Sequence, residues 1–282
     1  ATASLLVLLM YLINSYQLGL LLNSFGLSPG RGEMVAITTA MLLGNLILPL
    51  RGGSGALAVY LKKVYKLDFQ AFAAIYGGTA VLIALINTGL AMVGLAVLVF
   101  VHGFVHPALC AVVAVLFAGS VYLSIFPPPV TLKKRGILAP LFEAAHSWHI
   151  LTRNRRLLAL QIVTILIIAL VMAGVFWFIY SGLGTPLSFS AVVITSSLGN
   201  VAGLIPLTPG GLGIVDAVVV QIPQLYGLDP ARSLAAALAF RVLTLVWACA
   251  LGIPGMLYAL RASRCADTPP APNPATNEEV TQ

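Results

Sequence analysis

Apolar residues dominate this chain in long runs broken by a few short polar or Gly/Pro-rich stretches. Runs at 1–27, 69–104, 107–126, 157–180 and 233–260 each reach roughly 20 residues or come close to it, enough for a helix to cross a hydrocarbon layer about 30 Å thick. Two further segments are apolar but interrupted. The first runs over 34–50, breaks at Pro49-Leu50-Arg51-Gly52-Gly53-Ser54-Gly55, and resumes only as far as Lys62-Lys63. The second runs over 188–205, breaks at Pro206-Leu207-Thr208-Pro209-Gly210-Gly211-Leu212-Gly213, and resumes over 214–226 with Pro223 inside. The resumed arm of each is too short to span alone. No period-2 segments of about ten residues separated by turns occur, which argues against a transmembrane β-barrel. The pattern predicts an all-α polytopic membrane protein whose backbone is satisfied within helices.

Composition strengthens this reading. Hydrophobic residues make up 60% of 282 and charged residues 8%, against about 25% charged in soluble domains. Fifteen Lys+Arg against eight Asp+Glu give a formal charge of +7, which here reports topology rather than nucleic-acid binding. Residues 1–262 read as the transmembrane domain. Residues 263–282, rich in Pro, Thr, Asn and Glu, read as a disordered cytoplasmic tail. Between the two halves, a polar connector carries Lys133, Lys134, Arg135, Arg153, Arg155 and Arg156, and its stretch 138–151 has the character of an interfacial helix. The start of the chain lacks a basic leader and cleavage site, so no cleaved signal peptide is expected.

The two broken segments superimpose as sequence. Gly44-Asn45 precedes Pro49-Leu50 as Gly199-Asn200 precedes Pro206-Leu207, each leads to a Gly-Gly-x-Gly loop, and Tyr65-Lys66-Leu67-Asp68 matches Tyr226-Gly227-Leu228-Asp229. Internal duplication is the economical explanation. With the connector and the Arg261–Arg264 end placed in the cytoplasm, counting crossings puts twelve of the fifteen basic residues there and only Arg232 outside. The count has the first broken segment entering from the cytoplasmic side and the second from outside. This is an inverted-topology repeat with two re-entrant hairpins, an arrangement that places binding sites near the midplane. The second half has one more helix than the first, so the expectation is a further transmembrane helix before Ala1.

Few residues can carry chemistry. Arg51 sits at the first break, where a charge at bilayer depth costs on the order of 2.5–3.5 kcal/mol unless it finds a partner or an aqueous cavity. Asp216 is one candidate partner, and the phosphate of a lipid held by the guanidinium is the other. Gly52 and Gly53, and Thr208, Gly210, Gly211 and Gly213, form loops that either turn tightly or aim successive N–H groups at an anion. The second loop lacks the Lys-Ser/Thr of a nucleotide P-loop, which excludes ATP. Arg241 lies about 12 Å into the last span, deep enough for a cavity lining. Asn45 and Asn200 occupy matching places suited to a bond between helices or to a headgroup. Asp68 and Asp229 precede helices and read as N-caps. Cys110, Cys249, Cys265 and the four histidines form no disulfide, zinc or other metal pattern, and no catalytic constellation is present. No cofactor is expected and the protein is not expected to be an enzyme.

The stretch from Pro206 to Asp216, with Tyr226-Gly227-Leu228 and Phe240-Arg241, resembles the lysylphosphatidylglycerol synthase transmembrane, or flippase-like, family. Leu48-Pro49-Leu50-Arg51-Gly52-Gly53 and Val59-Tyr60-Leu61-Lys62-Lys63 follow the same pattern, so the resemblance covers most of residues 1–262. Family members include the lipid-translocating half of the bacterial multiple peptide resistance factor, which moves aminoacylated phosphatidylglycerol. The chain departs from the family in two places. Where the family carries an acidic residue and another Arg after the first glycine loop, this chain has Ser54, Gly55, Ala56 and Ala58, with Gly77-Gly78 at the start of the following helix; and Asp216 replaces the more frequent Glu. The cytosolic aminoacyl-transfer domain has no counterpart, so lipid synthesis is not implied.

The resemblance implies a translocator of a phospholipid or lipid-linked headgroup in the cell membrane. Its partner is a phosphate-bearing membrane lipid rather than nucleic acid, and a homo-oligomer is compatible with it. Arg51, Gly52, Gly53, Asn45, Asn200, Thr208, Gly210, Gly211, Gly213, Asp216 and Arg241 form the expected substrate site. Two rival readings are an ion-coupled transporter of a small metabolite, with Asp216 as the coupling carboxylate, and a non-transporting partner of an envelope-lipid enzyme docking through 138–151.

Overall fold

The computed structural model describes residues 1–103, 106–126, 152, 154–185, 187–205 and 208–265. Nine α-helices run through them: α1 (Thr2–Asn23), α2 (Arg31–Ile47), α3 (Gly52–Tyr65), α4 (Phe69–His102), α5 (Pro107–Ile125), α6 (Arg155–Gly182), α7 (Phe189–Ala202), α8 (Ile214–Gln224) and α9 (Pro230–Cys265). Single 3-10 turns at Pro49–Arg51 and Pro209–Gly211 sit in the two breaks. The described residues form no strand. Helices α1, α5, α6 and α9, and residues Ala71–Val101 of α4, are long and apolar enough to cross a bilayer. These are the five full spans that the apolar runs predict. Most of the connector, including its stretch 138–151, together with Pro206-Leu207 and most of the tail, lies outside the described residues, while Arg155 and Arg156 open α6.

Between helices that share an apolar solvent, burial of hydrocarbon supplies little specificity, so small residues and interhelical hydrogen bonds set the packing. The pair α2 and α9 shows this most clearly. A Cβ on Gly255 would stand 2.2 Å from the Ala36 carbonyl oxygen, and one on Gly252 would stand 2.8 Å from that of Thr39. The backbones therefore touch, and Thr39 Oγ1 donates across the seam to the Leu251 carbonyl at 3.1 Å. Helix α1 is tied to α9 by Tyr11 Oη donating to the Thr244 carbonyl and Trp247 Nε1 donating to Ser4 Oγ. It is tied to α6 by a buried amide pair in which Gln17 Nε2 donates to Gln161 Oε1 at 3.1 Å. Helix α4 packs on α7, where Gly94 admits Ile194 and the Ser190 carbonyl. A shared core of Val7, Val175, Phe176, Tyr180 and Val192 joins α1, α6 and α7.

The two broken segments are stitched differently. In the first, α2 and α3 fold back on each other through glycine: a Cβ on Gly53 would meet the Met41 carbonyl oxygen at 2.1 Å, and one on Gly44 would meet Gly53 Cα at 2.7 Å. In the second, Gly199 leaves ordinary contact with Val219, and α7 packs on α8 through larger side chains. The two 3-10 turns touch each other. Gly210, in the left-handed region at φ 56°, lies against Leu46, so the second break rests on the end of α2.

Candidate functional site

At the first break the chain takes two successive left-handed residues, Leu50 (φ 54°) and Arg51 (φ 53°). Neither is glycine, and each such residue costs roughly 1–2 kcal/mol. The geometry is held by Asn45, whose Oδ1 accepts from the Ser54 N–H at 2.9 Å while its Nδ2 donates to Ser54 Oγ at 3.1 Å. Asn45 thus closes the turn from the α2 side and fixes where α3 begins. The result aims the Arg51 side chain toward the second segment, and Nη2 donates to the Gly203 carbonyl at 2.7 Å. A guanidinium has five N–H donors. This is the hydrogen bond that Arg51 makes among the described residues, and no carboxylate pairs with it there.

The candidate Arg51–Asp216 pair is therefore not formed. Asp216 pairs with Arg241 instead, Nε to Oδ1 at 2.6 Å and Nη2 to Oδ2 at 2.7 Å, a two-pronged bridge with both side chains between a fifth and a third exposed. The cause is local. Asp216 occupies the first turn of α8 and accepts from the Gly213 N–H at 3.0 Å, capping that helix, and this fixes its carboxylate on the side that faces α9. Arg241 Nη1 also reaches the Gly210 carbonyl at 3.4 Å. The amide of the second glycine loop is thereby engaged by the chain's own carboxylate, while Thr208 Oγ1 donates to the Leu212 carbonyl at 2.7 Å and closes the loop.

Two cavities meet at the breaks. The first, about 280 Å³, is walled by α1, α2, α4 and both breaks, and contains Arg51, Asn45, Gly203, Thr208, Gly210 and Gly211. The second, about 230 Å³, shares part of its wall with the first and contains Asp216 and Arg241. Asn14, Leu42, Asn45 and Gly210 belong to both walls. Of the residues expected at the site, Gly52, Gly53, Gly213 and Asn200 line neither. Gly52 and Gly53 serve close packing against Leu48 and α2. Asn200 Nδ2 donates to Asn87 Oδ1 at 3.0 Å and joins α7 to α4, so the matching asparagines do different work. Asp68 stands at the N-cap of α4 without a side-chain cap bond. Among the described residues no cluster of His, Cys, Asp or Glu is placed to hold a metal.

Four polar cavity residues, Asn14, Gln17, Thr38 and Tyr76, escape the sequence reading. Asn14 and Gln17 lie one turn apart on α1, and this spacing of polar groups in an otherwise apolar run was the available signal. Thr38 is 1% exposed, and its hydroxyl has no partner among the described residues. Tyr76, whose Oη donates to Met41 Sδ, enters only through the tertiary fold.

Long apolar helices packed around a cavity whose described lining holds a guanidinium define an integral membrane protein with an internal polar site. The chain belongs to the family of the lysylphosphatidylglycerol synthase TM region, which matches residues 1–252. It is also similar to a UPF0104 membrane protein from Methanothermobacter thermautotrophicus, 30% identical over 82 residues, 29% of this chain. The matched stretch spans 24% of that relative's length. No solved structure matches the chain.

Proposed function

We propose that the protein is a lipid translocator in which a phosphate-bearing headgroup passes through the cavity at the junction of the two breaks. The observation that carries the reading is Arg51. It is a guanidinium inside an apolar bundle, held at the cavity wall by one carbonyl bond, with no carboxylate paired to it among the described residues. Such a cation at bilayer depth calls for an anion or for water, and a lipid phosphate supplies the anion in the two-pronged geometry guanidinium favours.

The reading includes the inverted repeat. The two broken segments enter from opposite faces as re-entrant hairpins, so that their breaks meet near the midplane. Their contact, the duplicated sequence tokens and the basic-residue asymmetry support this. Asp216 is committed to Arg241 and to the α8 cap, which argues against its use as the coupling carboxylate of a metabolite carrier.

In proteoliposomes containing acyl-labelled phospholipids, the wild-type chain accelerates exchange of the labelled anionic lipid between leaflets. Arg51→Ala lowers that rate at least tenfold. Unchanged exchange in Arg51→Ala removes the cavity cation from the mechanism.

A further inference from the structure

Resting on the translocator reading, we propose that the first break is a strap across a side opening of the first cavity, unfastened when an anion takes hold of Arg51. The acyl chains of a lipid pass this opening and stay in the bilayer while the head enters. The argument begins with size. At about 280 Å³ the cavity falls just below the roughly 300–1,000 Å³ of pockets that enclose drug-sized ligands. It takes a head and not the chains attached to it, so a lipid bound here leaves its chains outside the wall.

The first break forms one side of that wall in a single turn, Pro49–Arg51. Arg51 lines the cavity, while its neighbour Leu50 stands outside the lining and is 71% exposed. Ile47 and Leu48, just before the turn, are exposed as well. Ile205 of the second segment is both exposed and part of the cavity lining. Apolar side chains therefore lead from the cavity to the surface of the bundle, which suits hydrocarbon rather than a hydrated solute.

The strap is fastened by the bond from Arg51 Nη2 to the Gly203 carbonyl at 2.7 Å. Gly203 is the C-cap of α7. The last carbonyls of a helix lack partners within it and carry the partial negative charge of its dipole. Arg51 thus caps α7 from a segment 152 residues away in sequence. A phosphate offers the same guanidinium a full negative charge in place of a partial one. Once bound it also stands beside the negative end of α7, where an anion is disfavoured. Head and helix end therefore compete for Arg51. The turn favours release, because Leu50 and Arg51 are both left-handed and such residues persist only where their surroundings hold them. The Asn45–Ser54 bonds clasp α2 to α3 across the turn, so the turn is the part that moves.

The test is pulsed electron paramagnetic resonance on the detergent-purified full chain, with Cys110, Cys249 and Cys265 replaced by Ala. Spin labels are placed at Leu50→Cys on the strap and Val112→Cys on the exposed face of α5. Dihexanoyl phosphatidylglycerol is expected to shift or broaden this distance, and dihexanoylglycerol, which lacks the phosphate, to leave it unchanged. A reference pair, Val112→Cys with Val246→Cys on α9, should stay fixed. Arg51→Gln should show the displaced distribution with no lipid present. A phospholipid with a photoactivatable group at the end of its acyl chain should label residues 47–50 or Ile205. An unmoved strap, or an undisplaced distribution in Arg51→Gln, overturns the strap even where leaflet exchange proceeds. An equal shift of the reference pair overturns it too, because the whole bundle then moves. The same response to both lipids overturns the anion as trigger, and acyl labelling confined to other helices overturns the opening. A strap that opens without leaflet exchange in proteoliposomes overturns translocation and leaves the strap standing.

Discussion

Arg51 and Arg241 stand at the two breaks of one fold, yet in opposite electrical states: one faces a cavity with a single carbonyl bond, the other is locked to Asp216. The difference has energetic consequences that can be measured separately. Asp216→Asn leaves Arg241 half-buried without its counter-charge, and a hydrogen bond to a charged group contributes about 1.5–3 kcal/mol. The variant should unfold at lower temperature, and a double-mutant cycle with Arg241→Gln should show coupling of similar size; additive effects would mean the bridge contributes nothing net. Leu50 tests the backbone rather than the charge. It is 71% exposed, so Leu50→Gly loses little packing while removing left-handed strain of roughly 1–2 kcal/mol. Stability should hold or rise in thermal unfolding, whereas Leu50→Ile should lower it.

At the scale of elements, the apolar runs predict the five long helices closely because run length and hydropathy are local properties of the chain. The breaks are equally legible as breaks, since Pro ends a helix and Gly tolerates a tight turn, whereas the left-handed pair of the first break falls on Leu50 and Arg51 and left no mark in sequence. What binds the elements was less visible. Glycines 252 and 255 read as ordinary membrane-helix composition, yet they bring α9 onto the backbone of α2, a fact that depends on which faces meet. Gly255→Val should therefore reduce the yield of folded protein and its thermal stability far more than Gly119→Val, on α5, where an added Cβ meets nothing within 4 Å. Comparable behaviour of the two variants would contradict the close α2–α9 seam. The partner of Asp216 was likewise hidden: sequence places Arg51, Asp216 and Arg241 all near the breaks, and only the α8 cap that orients the carboxylate decides between the two arginines.

For the whole molecule, the sequence conveys the all-α membrane class through composition and the length of its apolar runs, while the cavity arises from α1, α2, α4 and both breaks together and is not inferable from any one of them. Thr38 and Tyr76 are the clearest examples, each becoming a cavity residue only when α2 and α4 are assembled with the breaks. Passage of a headgroup through the cavity requires those breaks to meet at bilayer depth. Single cysteines at positions 50 and 212, in a background with Cys110, Cys249 and Cys265 replaced by Ala, can carry a fluorophore whose quenching by lipids brominated at graded chain depths reports its position. Both labels should be quenched most strongly by lipids brominated near the ends of their acyl chains. Strongest quenching at the headgroup level for both labels would contradict passage through the cavity.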